Sequence, residues 1–312
     1  MSAFAVVNPR SANGRTAREW RAIAPLLSEI YPRLDVAFTR APRDAAHLVR
    51  TALREGHHEI VAVGGDGTIN EAVNGFFDIN GPVSPDAVFS FITSGTGGDF
   101  RKSFGVEEGS GAALAHLKSA PIRSVDVGRL SCLSRKGEPL IRHFVNIASF
   151  GLSGAVVDSV NRSRIAKLFG GPFAFGFHSA LDMLTYSDRV VRLIVDNGYD
   201  EIAAISTVAV ANGQYFGGGM RVAPSAAVDD GAFDVVVMTG GSRARMLQDM
   251  KLIYSGEHID SPNVRVLRGR KVVAVPVAQT RGLAVLIETD GESAGRLPAT
   301  FEILPRALQL RC

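Results

Sequence analysis

The sequence predicts an α/β nucleotide-binding domain, with a parallel sheet and helices on both faces, followed by an antiparallel β-sandwich-like domain. Strand-like and helix-like segments alternate through residues 1–122, a pattern typical of parallel sheets. After residue 122, strand candidates follow one another directly. The predicted domains are therefore 1–122 and 123–312, and the last residues, FEILPRALQLRC, could pack on either domain.

The first domain is built from four predicted strands and four predicted helices. Apolar runs give the strands, and apolar residues at helical spacing give the helices. Pro25 is expected to kink the first helix, and Gly56 is a typical helix C-cap. The predicted strands cover 4–9, 34–39, 59–65 and 88–93, and the predicted helices cover 15–30, 43–56, 68–77 and 109–119.

The second domain reads as a succession of β-strands with few helices. The pair Asn197-Gly198 lies between two alternating runs, which is a strong hairpin signal. Residues 242–256, SRARMLQDMKLIYSG, are predicted to form a helix among these strands. The strand candidates include RSVDVGRLSCL, RHFVNIASF, AFDVVVMTGG, VRVLRGRKVVAVPV and LAVLIETDGE.

Composition excludes several classes of function. The net charge of +3 comes from scattered basic residues, without the dense basic block typical of nucleic-acid binding. Cys132 and Cys312 match no zinc spacing. The sequence has no apolar run of the length that spans a bilayer, and its N-terminus does not resemble a secretory signal. We therefore expect a cytoplasmic protein without nucleic-acid partners.

The stretch EIVAVGGDGTINEAVNG places Gly64-Gly65-Asp66-Gly67-Thr68 between a strand and a helix. Glycines let backbone N–H groups approach phosphate oxygens, and a helix N-terminus adds positive potential. A plain tight turn, with Asp66 or Thr68 as helix cap, explains this stretch equally well when it is considered alone. A carboxylate within a phosphate-type turn points to a shared cation, such as the Mg²⁺ of a nucleoside triphosphate.

Two further turns repeat this arrangement. Residues 94–99, SGTGGD, follow the fourth strand, and residues 8–15, NPRSANGR, follow the first. Because the carboxyl ends of parallel strands share one edge of a sheet, the three turns are expected to lie together. Three such turns favour a nucleotide site much more strongly than one.

The second half of the chain adds carboxylates at Asp126, at Asp230 and in the turn Asp290-Gly291-Glu292. Asp-Gly is common hairpin chemistry, so surface turns account for Asp126 and Asp230 taken singly. The TDGE turn carries two carboxylates after an apolar strand. One could act as a general base toward an alcohol while the other holds a cation or orients its neighbour.

The segment LFGGPFAFGFHSALDMLTY, residues 168–186, is rich in Phe and Gly. A core helix with a loop explains most of it. A lipid-binding or membrane-touching surface is the alternative, and Arg162, Arg164 and Lys167 just before it would suit anionic head groups.

Taken together, VVNPRSANGR, GGDGTINEAVNG, SGTGGDFRKSFG, NGQYFGGGMRVAPSAAVDDGAFDV and TDGE resemble the motifs of the diacylglycerol kinase catalytic-domain family. This family contains soluble bacterial lipid kinases and is related to sphingosine and ceramide kinases. GGDGT alone is shared with the more distant NAD kinases and phosphofructokinases. The motifs occur in family order from about residue 4 to residue 292.

The resemblance implies ATP in a cleft between the two domains, with Glu292 as the first choice of base and Asp290 beside it. It implies an acidic network of Asp66, Asp99 and Asp126. It also implies a structural Mg²⁺ held by the Asp230 side chain and by backbone carbonyls near Ala227 and Ala232. The implied ATP-binding residues are Asn8, Pro9, Arg10, Ser11, Gly14, Thr39, Gly64, Gly65, Asp66, Gly67, Thr68, Asn70, Glu71, Gly95 and Thr96.

The function implied is an ATP- and Mg²⁺-dependent lipid kinase that phosphorylates the hydroxyl of diacylglycerol or a similar glycerolipid. Such an enzyme would work transiently at the inner membrane surface, and homodimers are plausible. A kinase acting on NAD or a sugar phosphate is one alternative, and a catalytically silent lipid or nucleotide sensor is another. Gly98 stands where the family usually has Asn. Because this change removes a polar side chain near the expected phosphates, a silent sensor stays an alternative to a kinase.

Overall fold

We analysed a computed structural model of the chain, which describes residues 2–93, 98–107, 109–162, 185–241, 243–277 and 284–312. The chain forms two compact units. The first comprises Met1–Val127 together with Pro305–Cys312, and the second comprises Gly128–Leu304. Two long strands, β7 (Ile122–Leu133) and β18 (Glu292–Arg311), begin in one unit and end in the other.

The first unit alternates strands and helices, as its sequence pattern predicts. Its strands before β7 are β1 (Ser2–Val7), β2 (Arg33–Phe38), β3 (Glu59–Gly64), β4 (Phe77–Asp78), β5 (Gly81–Pro82) and β6 (Val88–Thr93). Its helices are α1 (Ser11–Ile30), α2 (Asp44–Arg54), α3 (Asp66–Gly75), α4 (Asp99–Ser103) and α5 (Ser110–Ser119).

The sheet of the first unit is parallel, in the order β2-β1-β3-β6, and the end of β18 pairs beside β6. Two of its inner strands, β3 and β6, are buried along their whole length, as expected where helices cover both faces. Ile23 and Leu27 of α1 and Leu114 and Leu117 of α5 join one core with β1 and β3. α2 and α3 pack on each other and on β1 and β3 respectively.

The start of α1 is not a regular helix. Ala12, Asn13 and Gly14 have φ values of 51°, 54° and 82°, so the chain makes a left-handed turn before the regular helix begins. The residues around Pro25 keep helical φ and ψ values, so the helix continues past this proline, and the kink expected there stays a prediction. The irregular backbone lies directly after β1, at the edge of the sheet where ligands bind in open α/β folds.

The second unit is mostly antiparallel. Its strands between β7 and β18 are β8 (Pro139–Phe144), β9 (Ile147–Gly151), β10 (Arg189–Val195), β11 (Tyr199–Ala211), β12 (Tyr215–Phe216), β13 (Met220–Arg221), β14 (Phe233–Thr239), β15 (Val264–Gly269), β16 (Lys271–Pro276) and β17 (Leu286–Thr289). Its described helices are α6 (Leu152–Arg162), α7 (Arg243–Leu252) and the 3₁₀ helix Glu257–Asp260.

Strand pairing in the second unit follows the order β15-β14-β11-β10-β16-β18, while β9 pairs with both β11 and β17. Its core contains two stacked ring pairs, Phe144 with Phe233 and Phe150 with Phe301, with centroids 5.7 and 5.9 Å apart. All four rings are fully buried. Each such side chain contributes about 1.5–3 kcal/mol by leaving water.

The observed architecture confirms the predicted fold class: an α/β unit and an antiparallel β-sandwich-like unit. The hairpin predicted at Asn197-Gly198 joins β10 to β11. The candidate strand RHFVNIASF is instead two strands, β8 and β9, separated at Val145 and Asn146. Within the described part of the chain, no helix combines the length and the apolar character needed to cross a membrane.

Candidate functional site

The turns that follow β1 and β3 touch one another. The Asn8 side-chain amide donates a hydrogen bond to Thr68 Oγ at 2.9 Å, and the Asn8 backbone N–H donates to the Val63 carbonyl at 2.9 Å. A Cβ placed on Gly65 would lie 3.1 Å from Ser11 Oγ. The predicted proximity of these two turns is therefore observed, and Asn8 and Thr68 use their side chains to join them.

Gly64 is required by close packing rather than by its backbone conformation. A Cβ added there would lie 2.6 Å from Thr68 Oγ and 2.8 Å from Thr68 Cβ. The same addition at Gly65 meets only the rotatable hydroxyl of Ser11. Gly65 should therefore tolerate an added methyl group better than Gly64 does.

We expect Gly64→Ala to lower the free energy of unfolding by about 1–3 kcal/mol, the usual cost of overpacking. The added methyl group would push Thr68 away from Asn8. Gly65→Ala, the matched variant, should cost clearly less. Urea denaturation of the two variants and the wild type measures the difference, and equal stability of Gly64→Ala and Gly65→Ala would contradict it.

Asp66 lies at the start of α3, and its carboxylate reaches the N-terminus of α4. Its Oδ2 accepts the backbone N–H of Asp99 at 3.3 Å. Burial raises the pKa of the Asp66 carboxyl, and the backbone N–H groups of Asp99, Phe100 and Gly98 oppose that rise. Oδ1 is buried and has no hydrogen-bond partner among the described residues. A carboxylate oxygen in that condition is a suitable ligand for a cation.

The N-terminus of α3 has no side-chain cap. Gly65 occupies the N-cap position and contributes no capping hydrogen bond. First-turn N–H groups have no partner within a helix, so the amides of Asp66 and Gly67 suit an anion. Here the sequence pattern and the local geometry indicate the same chemistry.

Several other predicted ATP-binding residues have structural partners. Both Glu71 oxygens accept backbone N–H groups at the start of α2, from Arg43 at 2.7 Å and from Ala45 at 3.3 Å. Asn70 is buried and accepts a hydrogen bond from Asn74. The Thr39 N–H donates to the Val7 carbonyl at 2.9 Å. These contacts stabilise the unit whether or not they also touch a ligand.

The structure describes only some of the remaining predicted ATP-binding residues of the first unit. Pro9 and Arg10 lie in the turn after β1, where the Arg10 N–H donates to Asn8 Oδ1 at 3.0 Å. Gly95 and Thr96 lie outside the described residues. Gly98, at the family's Asn position, has a φ of +62°, and a Cβ there would lie 2.5 Å from Arg101 Nε. Any side chain at this position would have to displace the Arg101 side chain.

In the second unit, the TDGE turn joins β17 to β18. Asp290 and Gly291 have φ values of 47° and 85°, as a tight two-residue hairpin turn requires. The Asp290 carboxylate accepts three backbone N–H groups, from Val145 at 3.1 Å, Asn146 at 3.0 Å and Ile147 at 2.9 Å. Asp290 therefore anchors this turn to the break between β8 and β9.

Glu292 differs from Asp290 in its surroundings, because it is exposed to solvent at the end of the same turn. The buried carboxylate of Glu288 also holds this turn, a role that was not predicted from the sequence. It accepts the Gly291 N–H at 2.9 Å and the Ser149 hydroxyl. The position of Glu288, two residues before Asp290 on an otherwise apolar strand, was a weak sequence signal for a buried carboxylate.

Comparisons with known proteins identify the family of this chain. Residues 2–130 match the family described as the diacylglycerol kinase catalytic domain, and residues 146–312 match the YegS C-terminal NAD kinase beta sandwich-like domain. The chain belongs to the diacylglycerol kinase family.

Full-length relatives of this family resemble the chain from end to end. A Mycobacterium tuberculosis protein named diacylglycerol kinase is 26% identical over 98% of this chain and 93% of its own length. A Chromohalobacter salexigens protein named "Probable lipid kinase YegS-like" is 29% identical over 96% and 90%. A crystal structure of a diacylglycerol kinase from Bacillus anthracis is similar with a TM-score of 0.71 and 19% identity, covering 99% of this chain and 96% of that one.

The family resemblance predicts an acidic network that includes Asp126. This residue is fully buried in the first unit and accepts the Arg306 N–H at 2.7 Å. Arg306 has a φ of +52°, so Asp126 stabilises an unusual backbone conformation in β18. Asp66 and Asp99 are linked through the N–H of Asp99. A role of Asp126 in catalysis stays a prediction.

The family's structural Mg²⁺ does not fit the loop that contains Asp230. One Asp230 oxygen accepts the Ala232 N–H at 3.1 Å, and the other contacts the Arg268 guanidinium. Arg270 Nε donates to the Gly231 carbonyl at 3.2 Å. Two guanidinium groups thus occupy the Asp230 carboxylate and the backbone carbonyl of Gly231, which is adjacent to Ala232, and both are ligands of the kind that the cation would need.

The pKa of a neighbouring carboxyl group, that of Asp234, depends on the same charged residues. Burial raises the pKa of Asp234, Arg268 opposes the rise, and Asp230 adds to it. Among the residues that the structure describes, no group of three or more His, Cys, Asp or Glu side chains could hold a metal ion. Most of the Phe-rich segment 168–186 lies outside those residues, so its proposed lipid contact has no structural description.

Proposed function

We propose that this chain is a lipid kinase that transfers the γ-phosphoryl group of ATP to the hydroxyl of diacylglycerol or a similar glycerolipid. The observation that carries the proposal is the TDGE turn, where an exposed Glu292 stands beside an Asp290 fixed by three backbone N–H groups. A base needs access to its substrate and a fixed position, and this turn offers both.

The first unit supplies the nucleotide side of the proposal. The uncapped N-terminus of α3 leaves its first-turn backbone N–H groups available, and the left-handed turn at Ala12, Asn13 and Gly14 follows β1 at the same edge of the sheet. Left-handed Ala and Asn each cost about 1–2 kcal/mol, and such strain often accompanies ligand sites. We assign the ATP phosphates to these amides.

Asp66 is the residue that fits Mg²⁺ in this proposal, because its buried Oδ1 lacks a partner among the described residues. Mg²⁺ bound with ATP would offset phosphate charge and hold the phosphates in line for transfer. Asp66 would orient that ion while its second oxygen keeps the N-terminus of α4 in place.

The chemical step follows from these assignments. The lipid hydroxyl oxygen forms a bond to the γ-phosphorus as the bond to the bridging oxygen breaks, and ADP leaves. Glu292 accepts the hydroxyl proton. Asp290, with three donors on its carboxylate, holds the turn and is poorly placed to take a proton. Most of the rate enhancement would come from positioning and charge stabilisation.

A kinase acting on NAD or a sugar phosphate and a catalytically silent sensor remain the alternatives. ADP production from MgATP separates all three when it is followed with mixed micelles of diacylglycerol, phosphatidylglycerol or ceramide, and with water-soluble NAD or a sugar phosphate. We expect production that depends on a lipid. Production with NAD or the sugar phosphate alone would favour the first alternative. ATP binding without ADP production would favour the second.

Asp66→Asn tests the nucleotide half of the proposal. Because the folded pKa is raised above the ordinary 3.8, the folded state binds more protons, and stability falls as pH rises through the folded pKa. Asn removes this cost and still accepts the N–H groups at α4. We therefore expect Tm at neutral pH to hold or rise, while calorimetry shows MgATP affinity about tenfold or more weaker.

An unchanged MgATP affinity in a folded Asp66→Asn variant would remove Asp66 from the site. Asp44→Asn is a matched control on the same unit. Asp44 accepts the Arg40 N–H at the exposed start of α2 and belongs to none of the predicted nucleotide turns. It should leave MgATP affinity as in the wild type.

A further inference from the structure

The loop between β13 and β14 brings carboxylates and guanidinium groups together outside the proposed active site. Asp230 extends toward Arg268 on β15, which lies 38 residues further along the chain. Arg268 is also directly opposite Asp234 in the antiparallel register of β14 and β15. The Arg268 guanidinium thus contacts the carboxylate of Asp230, and Arg268 lies across the strand pair from the carboxylate of Asp234.

A second guanidinium completes the arrangement. Arg270 Nε donates to the Gly231 carbonyl at 3.2 Å, and the backbone N–H of Arg270 donates to both oxygens of the Asp196 carboxylate at 3.0 Å. Gly231 has a φ of +75°, so its carbonyl direction depends on a backbone conformation that favours glycine. Carboxylate and carbonyl oxygens are typical ligands of hard divalent cations such as Ca²⁺ and Mg²⁺ in proteins.

We propose that Arg268 and Arg270 replace a divalent cation in this loop, so that the second unit folds and remains stable without metal. A guanidinium is always charged and presents several N–H donors in one plane, which lets it engage a carboxylate or carbonyl as a cation would. Because it is covalently attached, it competes with any incoming ion at that ion's own ligands. A divalent ion would also be repelled by the two fixed charges.

The inference does not rest on the proposed kinase activity, since it concerns stability in the absence of nucleotide. If the chain is a kinase and this loop binds no metal, the Mg²⁺ requirement of the enzyme comes from the nucleotide alone. Asp230→Asn should then leave the Mg²⁺ concentration dependence of activity unchanged.

The first test is thermal unfolding of the full chain without nucleotide, in EDTA and in MgCl₂. We expect the two Tm values to agree within about 1 °C, because a ligand stabilises a fold only if it binds the native state. Saturable Mn²⁺ binding, followed by electron paramagnetic resonance, provides a direct check. One Mn²⁺ per chain that disappears in Asp230→Asn, or a Tm loss of several degrees in EDTA, would overturn the proposal.

A double-mutant cycle tests the replacement itself. Arg268→Met keeps the aliphatic length of the side chain and removes its charge, and Asp230→Asn removes the opposing charge. We expect each variant to lose about 2–4 °C in Tm and the double variant to lose less than the sum. Strict additivity of the two losses would show that the residues do not interact and would contradict the proposal.

Discussion

Glu292→Gln is expected to reduce lipid phosphorylation by about 10²–10⁴-fold, the usual contribution of a general base, without changing the fold. The amide keeps the size of the side chain and cannot accept the hydroxyl proton. Glu292 is exposed at the tight turn, so its replacement leaves the hydrogen bonds of Asp290 and Glu288 intact. Radiolabelled transfer assays and thermal unfolding on the same preparation measure both effects.

Glu138→Gln is the matched control for this variant. Glu138 is also exposed and lies in the turn between β7 and β8 of the same unit. It should retain wild-type activity and Tm. A folded Glu292→Gln protein with wild-type turnover would show that another group takes the proton.

Asp290→Ala should affect stability as well as activity. The change leaves the N–H groups of Val145, Asn146 and Ile147 without the carboxylate that accepts them. These three residues are buried, and each unsatisfied donor costs about 1–3 kcal/mol. We expect a loss of about 3 kcal/mol or more, equivalent to a fall in Tm of roughly 6–12 °C.

Backbone strain and lost hydrogen bonds can be separated at this position. Asp290 has a φ of +47°, which Gly adopts without cost but Ala does not. Asp290→Gly should therefore recover only a small part of the loss if the carboxylate is the anchor. Full recovery of stability in Asp290→Gly would mean that the three hydrogen bonds contribute little. Together with Glu292→Gln, these variants distinguish the anchor of the turn from its base.

The architecture of the first unit was predictable because its signals are local. Alternating apolar strands and amphipathic helices predict a parallel sheet, and the turns that follow parallel strands fall on one edge of that sheet. The contact between the turns at Asn8 and Thr68 follows from this geometry. The left-handed residues Ala12 and Asn13 could not be predicted, since neither residue type requires a positive φ.

The roles of individual carboxylates were less predictable, because their partners are distant backbone groups. Asp290 and Glu292 look equivalent in sequence, and only the position of residues 145–147 separates the anchored carboxylate from the exposed one. Asp230 presents the same difficulty. The family resemblance implies a metal ligand at this position, whereas Arg268 reaches Asp230 only through the pairing of β14 and β15.

The central claim is that this chain moves a phosphoryl group from ATP to a lipid hydroxyl. The most direct measurement incubates the protein with γ-labelled MgATP and diacylglycerol in mixed micelles and resolves the lipid products by thin-layer chromatography. We expect labelled phosphatidic acid from the wild type and none above background from Glu292→Gln. ATP binding without a labelled lipid, from diacylglycerol or from any other glycerolipid in the micelles, would contradict the claim.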